Sequence, residues 1–422
     1  MDIKPFTRKE KIIVFFACAL GWAHDAIGLT LITFLVGPIG AEFGLGPQPE
    51  VYLGFIMSAQ YIATVPGAFL FGALADKYGR KNILLASIAW DALLTAASAF
   101  APNYYVFAAL RILSGMGVSW GIAFALLGEV YSPKRRAMWG GFVHATFIIG
   151  YLGSAISVLL LRPTLSVLFP VIWWRYLFFI ALIPIPFIIW LYFVLPESRL
   201  WEKYRELESP DKMPLGAQLK EIVQKGYLKL LVIATFVFWA AEFAYHAFVD
   251  WGPWFLGMGG IGLPGDTPDL IVMAIAVILI FVFPLIGLLG DIIGRRRAYM
   301  VPAILGLIGT IVFAIAILVI FPTPLILTIV GLVILALGFS SHGLFGVWSS
   351  ELFPTRARAA ANSIIFSIAR GFSLGAIVVG VLTTFTVLTL GQAMLVGSLG
   401  FVLMVILPWL LPETKGKELK PD

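Results

Sequence analysis

The segment GALADKYGR at residues 72–80 recurs as GLLGDIIGR at residues 287–295, an offset of 215 residues. Both copies keep a glycine, an aspartate, a second glycine and an arginine at the same spacing, directly after a long apolar run. Glycine permits close approach of helix ends, and the charged pair marks a short loop outside the apolar run. The conserved positions in the two copies are Gly72, Asp76, Gly79, Arg80, Gly287, Asp291, Gly294 and Arg295.

Two further pairs of motifs repeat at nearly the same offset. EVYSPKRR at 129–136 returns as ELFPTRAR at 351–358, and the Pro-Glu pair at 196–197 returns at 412–413. Three matches at similar offsets indicate a duplicated unit of six spans. Parallel repeats of six spans are a transporter architecture, with the binding site between the halves near the middle of the bilayer.

Composition supports an integral membrane protein. Of the 422 residues, 60% are hydrophobic and only 12% are charged, whereas soluble domains are about 25% charged. The composition therefore excludes a soluble enzyme and a nucleic-acid-binding protein, and the lipid bilayer is the expected partner. The single cysteine, Cys18, excludes an intrachain disulfide.

Twelve apolar runs have the length of about 20 residues that a transmembrane helix needs. The predicted spans, numbered in chain order, are 12–39, 52–75, 82–101, 104–131, 138–161, 175–195, 228–256, 269–290, 298–321, 324–352, 360–390 and 392–411.

The polar segments predict four regions. Residues 1–196 form an N-terminal six-helix bundle, and residues 227–412 form a C-terminal one. A cytoplasmic linker at 197–226 joins them, with a surface helix expected around 215–223, and residues 413–422 form a cytoplasmic tail.

Basic residues indicate the orientation. Of the 29 Lys and Arg residues, 25 lie on one side, in the termini, in alternate loops or, for Lys229, at the adjoining end of a span, and only Arg162 and Arg175 lie on the other. By the positive-inside rule both termini are cytoplasmic, in a multi-pass protein of the cell membrane. Arg111 and Arg370 lie within spans.

These motifs resemble the major facilitator superfamily, in its sugar-porter-like branch. The resemblance covers the whole chain. It implies an all-α fold of twelve transmembrane helices in two bundles related by a pseudo-two-fold axis. It also implies a non-enzymatic, monomeric secondary transporter that works by alternating access, without a cofactor, on the energy of a proton gradient.

The loop motifs place a charge cluster at the cytoplasmic end of each half. We call the two clusters together the cytoplasmic latch, because they are expected to hold the bundles together in one state and release them in the other. The alternative is that they serve only as orientation signals and loop anchors. The charged residues of the latch are Asp76, Arg80, Glu129, Arg136, Asp291, Arg295, Glu351 and Arg358.

Ionisable residues inside spans are costly and are functional candidates. Asp25 lies about halfway along span 1, and Arg111 opens the pattern Arg-x3-Gly-x-Gly in span 4. Proton-coupled sugar symporters of the resembled branch carry an Asp and an Arg in these two spans. Asp25 is therefore predicted to carry the proton with Arg111 as its partner, and a static salt bridge is the alternative. Glu242, the counterpart of Asp25 in the second half, is the other candidate for proton coupling.

Arg370 lies deep in span 11, where it must pair with a carboxylate of the protein, most simply Glu242, or receive an anionic substrate. His246 and Asp250 fall on the same face of span 7 as Glu242, at a spacing of four residues. A metal site is the weaker interpretation of that face, because nothing closes the coordination.

The pattern His246-x3-Asp250 together with Arg370 resembles the carboxylate–proton symporters of the lactate and sialate group. Positions where sugar porters carry neutral sugar contacts hold His144 and His246 instead. The prediction is proton-coupled symport of a small organic anion. Symport of a sugar, a phosphate or an aromatic acid is the alternative, and a drug exporter is a more distant one. The predicted substrate-binding residues are Arg370, His144, His246, Tyr151, Asp250 and His342.

Overall fold

The structure, a computed structural model, describes residues 4–46, 49–208, 226–257, 260–319 and 323–419. All the regular secondary structure in these residues is helical. The surface helix expected around 215–223 lies outside the described residues, as does most of the linker.

Eleven helices of the described residues are long and apolar enough to cross a bilayer. Two shorter apolar helices lie where span 4 was predicted. In chain order the spans are Arg8–Phe34, Tyr52–Tyr78, Arg80–Phe100, the pair Tyr104–Ser114 and Trp120–Val130, Arg136–Leu168, Trp173–Val194, Tyr227–Leu256, Thr267–Ile293, Arg295–Leu318, Leu325–Leu352, Thr355–Phe385 and Leu390–Leu410.

Span 4 is not the continuous helix that the sequence predicted. It breaks at residues 115–119, between the two short helices. A Cβ atom on Gly115 would meet the backbone of Gln60, and one on Gly117 would meet Ser87 and Asp91. The irregular backbone is thus packed inside the protein, which is where a membrane protein tolerates it.

Span 11 is also interrupted. Three residues, 372–374, separate its helix Arg358–Gly371 from the next helix, Gly375–Phe385. Interrupted helices are typical of transporter binding sites. Arg370 lies directly at the end of the first segment.

The repeated Pro-Glu motif has a structural role at the start of spans 3 and 9. Gly79 and Gly294 precede these helices with φ angles of 105° and 102°, a conformation that favours glycine. The Glu197 carboxylate accepts hydrogen bonds from the backbone N–H groups of Arg80 and Lys81, at 3.0 and 3.3 Å. It therefore satisfies orphan donors of the helix N-terminus.

Glu413 does the same for span 9, accepting from Arg295 N–H at 2.9 Å and Arg296 N–H at 3.2 Å. Burial raises the pKa of Glu197 above its ordinary value. At Glu413 burial acts in the same direction, but four backbone N–H groups outweigh it and lower the pKa.

The two halves pack closely along spans 2 and 11 and along spans 5 and 8. A Cβ on Gly72 would meet the backbone of Ala360. On the other side of the molecule, Gly141 lies against the backbone of Phe283, and Gly287 lies against Ala137. Small residues at these points bring the helices into backbone contact.

The cytoplasmic latch joins the halves in this structure. Arg358 of the second half donates to Glu129 of the first at 2.5 Å, and Arg80 forms an ion pair with Glu129 at 3.3 Å. The mirror arrangement places Arg136 at 3.0 Å and Arg295 at 2.8 Å from Glu351. Each glutamate therefore binds one arginine from its own half and one from the other.

The two aspartates of the latch cap helices of the opposite half. Asp76 accepts hydrogen bonds from the N–H groups of Ala359 and Ala360, at 3.2 and 2.9 Å. Asp291 accepts from Ala137 and Met138, at 3.2 and 3.0 Å. A carboxylate is stabilised at a helix N-terminus by the free N–H groups and by the helix dipole.

We expect the double variant Glu129→Gln, Glu351→Gln to separate the two halves at the latch. Removing one partner of a buried ion pair costs about 3–5 kcal/mol. The double variant loses both ion pairs between the halves, Arg358–Glu129 and Arg136–Glu351. A cysteine at Ser350, which lies buried near Gly128 between the halves, should then react with maleimide at least about tenfold faster in a Cys18→Ala background.

The matched control for the latch experiment is Glu202→Gln, which changes an exposed glutamate of the helix Arg199–Glu208. It should leave the labelling rate unchanged. If the double variant labels no faster than the control, the clusters are loop anchors only.

Candidate functional site

A cavity, which we call the central cavity, lies between the two halves. Seven of its twelve lining residues are apolar or aromatic, and the other five carry ionisable side chains. The lining residues are Trp22, His144, Phe147, Ile148, Glu242, Tyr245, Leu279, Phe283, Phe339, His342, Phe366 and Arg370.

The structure brings some of the predicted substrate-binding residues into this cavity and not others. Arg370, His144 and His342 line it. Tyr151 does not, because its ring packs on Phe34 with 5.6 Å between centroids. His246 and Asp250 do not line the cavity. His246 contacts Glu242, and Asp250 contacts His246.

Arg370 is buried, and it forms no ion pair with a carboxylate in the described part of the chain. The pairing with Glu242, one of the two alternatives left open by the sequence, is not formed. The guanidinium instead lies between two rings, 4.9 Å from the centroid of Tyr61 and 4.8 Å from that of Phe147. Its Nε has no hydrogen-bond partner. Cation–π contacts stabilise a guanidinium without neutralising it.

Glu242 is bound by two imidazoles instead. Its Oε2 lies 3.4 Å from Nε2 of His246, and its Oε1 lies 3.3 Å from Nε2 of His342. Nδ1 of His246 lies 2.8 Å from the partly exposed carboxylate of Asp250. Nδ1 of His342 lies 2.7 Å from the Phe339 carbonyl, which can only accept a hydrogen bond. We call Asp250, His246, Glu242 and His342 the span 7 chain.

His144 faces the same cavity from the first half. Its ring centroid lies 5.3 Å from that of Trp22, 4.8 Å from that of Phe283 and 5.7 Å from that of His342. Its Nδ1 has no hydrogen-bond partner. This imidazole is therefore an available polar contact in an otherwise aromatic wall.

Asp25 lines a second cavity, which lies inside the first half. Its Oδ2 accepts a hydrogen bond from Ser119 Oγ at 2.8 Å, and its Oδ1 is buried without a partner. Ser119 is placed by the break in span 4, which the sequence did not predict. Gln60 lines the same cavity, and its Oε1 is also buried without a partner.

The expected ion pair between Asp25 and Arg111 is not formed. Arg111 donates to the Gly28 carbonyl, and its Nη1 donates to Thr95 Oγ1 at 2.7 Å. Thr95 in turn donates to Asp91 Oδ1 at 3.1 Å. The guanidinium is thus directed towards span 3.

The structure places two further ionisable side chains, Asp91 and His24, beside the proton-coupling candidates. Asp91 Oδ2 lies 3.2 Å from Nε2 of His24. Both side chains are charged or ionisable groups inside spans, and that signal was available in the sequence. Among the described residues, no three His, Cys, Asp or Glu side chains are grouped so that they could hold a metal ion.

Comparison with known proteins decides the family. The profile of the Major Facilitator Superfamily matches residues 14–370. The chain belongs to the major facilitator superfamily. Its all-helical fold of paired six-helix bundles, expected from the motifs, is confirmed. So is its assignment as a non-enzymatic, multi-pass membrane transporter.

Individual relatives within the superfamily are distant but match along most of their length. A protein of Cupriavidus pinatubonensis named "Probable 4-methylmuconolactone transporter" is 27% identical over 95% of this chain and 90% of its own. The sialic acid transporter NanX of Escherichia coli is 25% identical over 96% of this chain and 94% of its own.

A solved structure gives the same fold. The proton:xylose symporter XylE bound to 6-bromo-6-deoxy-D-glucose superposes with a TM-score of 0.82 at 19% identity, over 98% of each chain. At this identity the likeness shows the fold alone.

Proposed function

We propose that the protein is a proton-coupled symporter of a small organic anion, which it carries by alternating access across the cell membrane, with both termini in the cytoplasm. The carboxylate of the substrate binds Arg370 in the central cavity, and Asp25 carries the proton. His144 and His342 supply the polar contacts to the rest of the substrate.

The observation that carries this proposal is the unpaired charge of Arg370. A buried guanidinium without a carboxylate partner is costly inside a membrane. Its Nε is unpartnered, and its nearest acidic candidate, Glu242, binds two histidines instead. A monoanion that binds Arg370 would neutralise it, and a carboxylate matches the two parallel donors of the guanidinium.

The span 7 chain supports a monoanion in particular. Glu242 lies 3.4 Å from Nε2 of His246 and 3.3 Å from Nε2 of His342, and Asp250 lies 2.8 Å from Nδ1 of His246. Both carboxylates of the chain therefore contact histidines and not Arg370. A single negative charge on the substrate would match the charge of Arg370.

The walls of the cavity favour an unsaturated or ring-containing acid over a sugar. Trp22, Phe147, Phe283 and Phe366 present aromatic faces and edges, and such surfaces bind planar groups well. A sugar needs many neutral hydrogen-bonding partners, which this wall lacks. The two named relatives are described as a probable 4-methylmuconolactone transporter and a sialic acid transporter, and each of these compounds contains a carboxyl group.

A thermal-shift panel tests the proposal. We expect at least one acid among 4-methylmuconolactone, sialic acid, nicotinate, benzoate and lactate to raise the unfolding temperature. A ligand at 100 times its Kd stabilises the native state by about 2.7 kcal/mol. Xylose and glucose should have no effect. Stabilisation by a sugar and by none of the acids would contradict the proposal.

A further inference from the structure

A buried polar network links spans 1, 3 and 4 inside the first half. Arg111 donates through Nη1 to Thr95 Oγ1 at 2.7 Å, and Thr95 donates to Asp91 Oδ1 at 3.1 Å. The other oxygen of Asp91 lies 3.2 Å from Nε2 of His24. Each of these side chains is buried. Thr95 therefore bridges a guanidinium and a carboxylate that both lie away from water.

The backbone is built to admit this network. A Cβ on Gly28 would meet both oxygens of Asp91, and a Cβ on Gly117 would meet its Cβ atom and backbone. The Gly28 carbonyl also accepts from Arg111. Gly28 on span 1 and Gly117 on span 4 thus leave the space that the Asp91 side chain occupies. Gly28 lies about one helical turn after Asp25.

Four charged or titratable groups, on four spans, lie near Asp25. Asp91 on span 3 and Arg370 on span 11 act on it through space, His24 precedes it on span 1, and Arg111 lies on span 4. Asp91 is the carboxylate whose charge acts on Arg111. Asp25 itself is bonded to the neutral hydroxyl of Ser119 and leaves one oxygen unpartnered.

We propose that Asp91, acting through Thr95, is a positioning residue that holds Arg111 away from Asp25 and so leaves Asp25 free to take up a proton. The inference rests on the proposed function, in which Asp25 carries the proton. Thr95 links Arg111 to Asp91, whereas Asp25 forms no ion pair with a cation among the described residues. An unpaired buried carboxylate is stabilised by a proton, whereas one paired with Arg111 would stay ionised.

Infrared titration of the purified full-length protein tests this without a substrate. The C=O stretch of a protonated carboxyl is followed against pH, and the band of Asp25 is the one that Asp25→Asn removes. Thr95→Val is the decisive single variant, because it keeps every charge and the side-chain shape but removes the bridge. It frees Arg111 to approach Asp25, so the Asp25 band should disappear at lower pH than in the wild type. An opposite charge at close range shifts such a midpoint by about one to three pH units.

A charge cycle separates positioning from simple proximity. Asp91→Asn removes a negative charge and frees Arg111, so the midpoint of Asp25 should move to lower pH. Arg111→Gln leaves Asp91 unpaired, so the midpoint should move to higher pH. The double variant removes the pair as a unit and should return the midpoint close to that of the wild type. Asp91→Glu should restore much of the wild-type behaviour.

The outcomes are distinct. If Arg111 pairs directly with Asp25, the double variant will titrate at high pH, as Arg111→Gln does, and Thr95→Val will have no effect. That pair of results would overturn the inference and leave the proposed function intact. If the wild type shows no titrating band that Asp25→Asn removes, the proton assignment in the proposed function fails.

Discussion

Replacing Arg370 by alanine is expected to weaken binding of the transported acid by about 30-fold to about 4,000-fold. Losing one partner of a buried, hydrogen-bonded charge pair costs about 2–5 kcal/mol, and each 1.4 kcal/mol is a factor of ten. Arg370 has no carboxylate partner among the described residues and faces the central cavity. Its loss should therefore be felt almost entirely by the substrate. Equilibrium binding and uptake in proteoliposomes both measure the effect.

Two variants control this experiment. Arg370→Lys keeps the charge but loses the paired donors, so it should restore part of the affinity and not all of it. Arg162→Ala changes an exposed arginine that lies over the Trp173 ring and should bind like the wild type. If Arg370→Ala binds and transports the acid normally, the substrate is not an anion held at this site, and a neutral substrate becomes the better hypothesis.

Replacing Asp25 by asparagine is expected to abolish accumulation driven by a pH gradient while substrate exchange continues. Asparagine has nearly the same shape as a protonated aspartate and can still accept from Ser119. It therefore mimics the loaded, neutral state in which the bundles can move, but it cannot release a proton. Counterflow of labelled substrate should persist, and net uptake against a gradient should fall to the level of liposomes without protein.

Asp266→Asn is the matched control, because Asp266 is exposed in the loop before span 8. It should accumulate substrate like the wild type. If Asp25→Asn still accumulates substrate under an imposed pH gradient, Asp25 is not the proton carrier. Glu242, in the corresponding span of the second half, is then the candidate.

The sequence predicted the latch residues because their motif appears twice. A repeated Asp, Arg and Glu at fixed spacing can be recognised without coordinates, and all eight charged residues lie at the contact between the halves. The sequence could not predict which arginine of one half pairs with which glutamate of the other. That pairing depends on how spans 2, 5, 8 and 11 pack, and therefore on distant glycines such as Gly72 and Gly287.

The candidate site was harder to predict for a related reason. Arg370 and Glu242 were recognisable as ionisable groups inside spans, but sequence spacing relates residues only along one helix. The spacing placed Glu242, His246 and Asp250 on one helix face, and in the structure His246 contacts both carboxylates. It could not show that His342, on another span, completes the set. Pairing of Arg370 with Glu242 was one of two alternatives that the sequence left open, and tertiary packing does not form it.

The partner of Arg111 was missed because of the helix break. A continuous span 4 would place Arg111 on a regular helix face, and Asp25 is the most obvious acid on the facing span. The interruption at residues 115–119 changes the path of the backbone, brings Ser119 to Asp25 and admits Asp91. The glycines and serines of that segment were the available signal, since such residues allow an irregular backbone inside a membrane protein.

The central claim is that one proton moves with one monoanion, so transport carries no net charge. It is tested most directly by uptake of the acid identified in the thermal-shift panel into proteoliposomes, with the pH gradient and the membrane potential imposed separately. A pH gradient alone, with the potential held at zero, should drive full accumulation. The potential is worth about 2.3 kcal/mol per unit charge per 100 mV, and adding it should change nothing if transport is electroneutral. Accumulation that requires the potential, or that occurs without a pH gradient, would contradict the account.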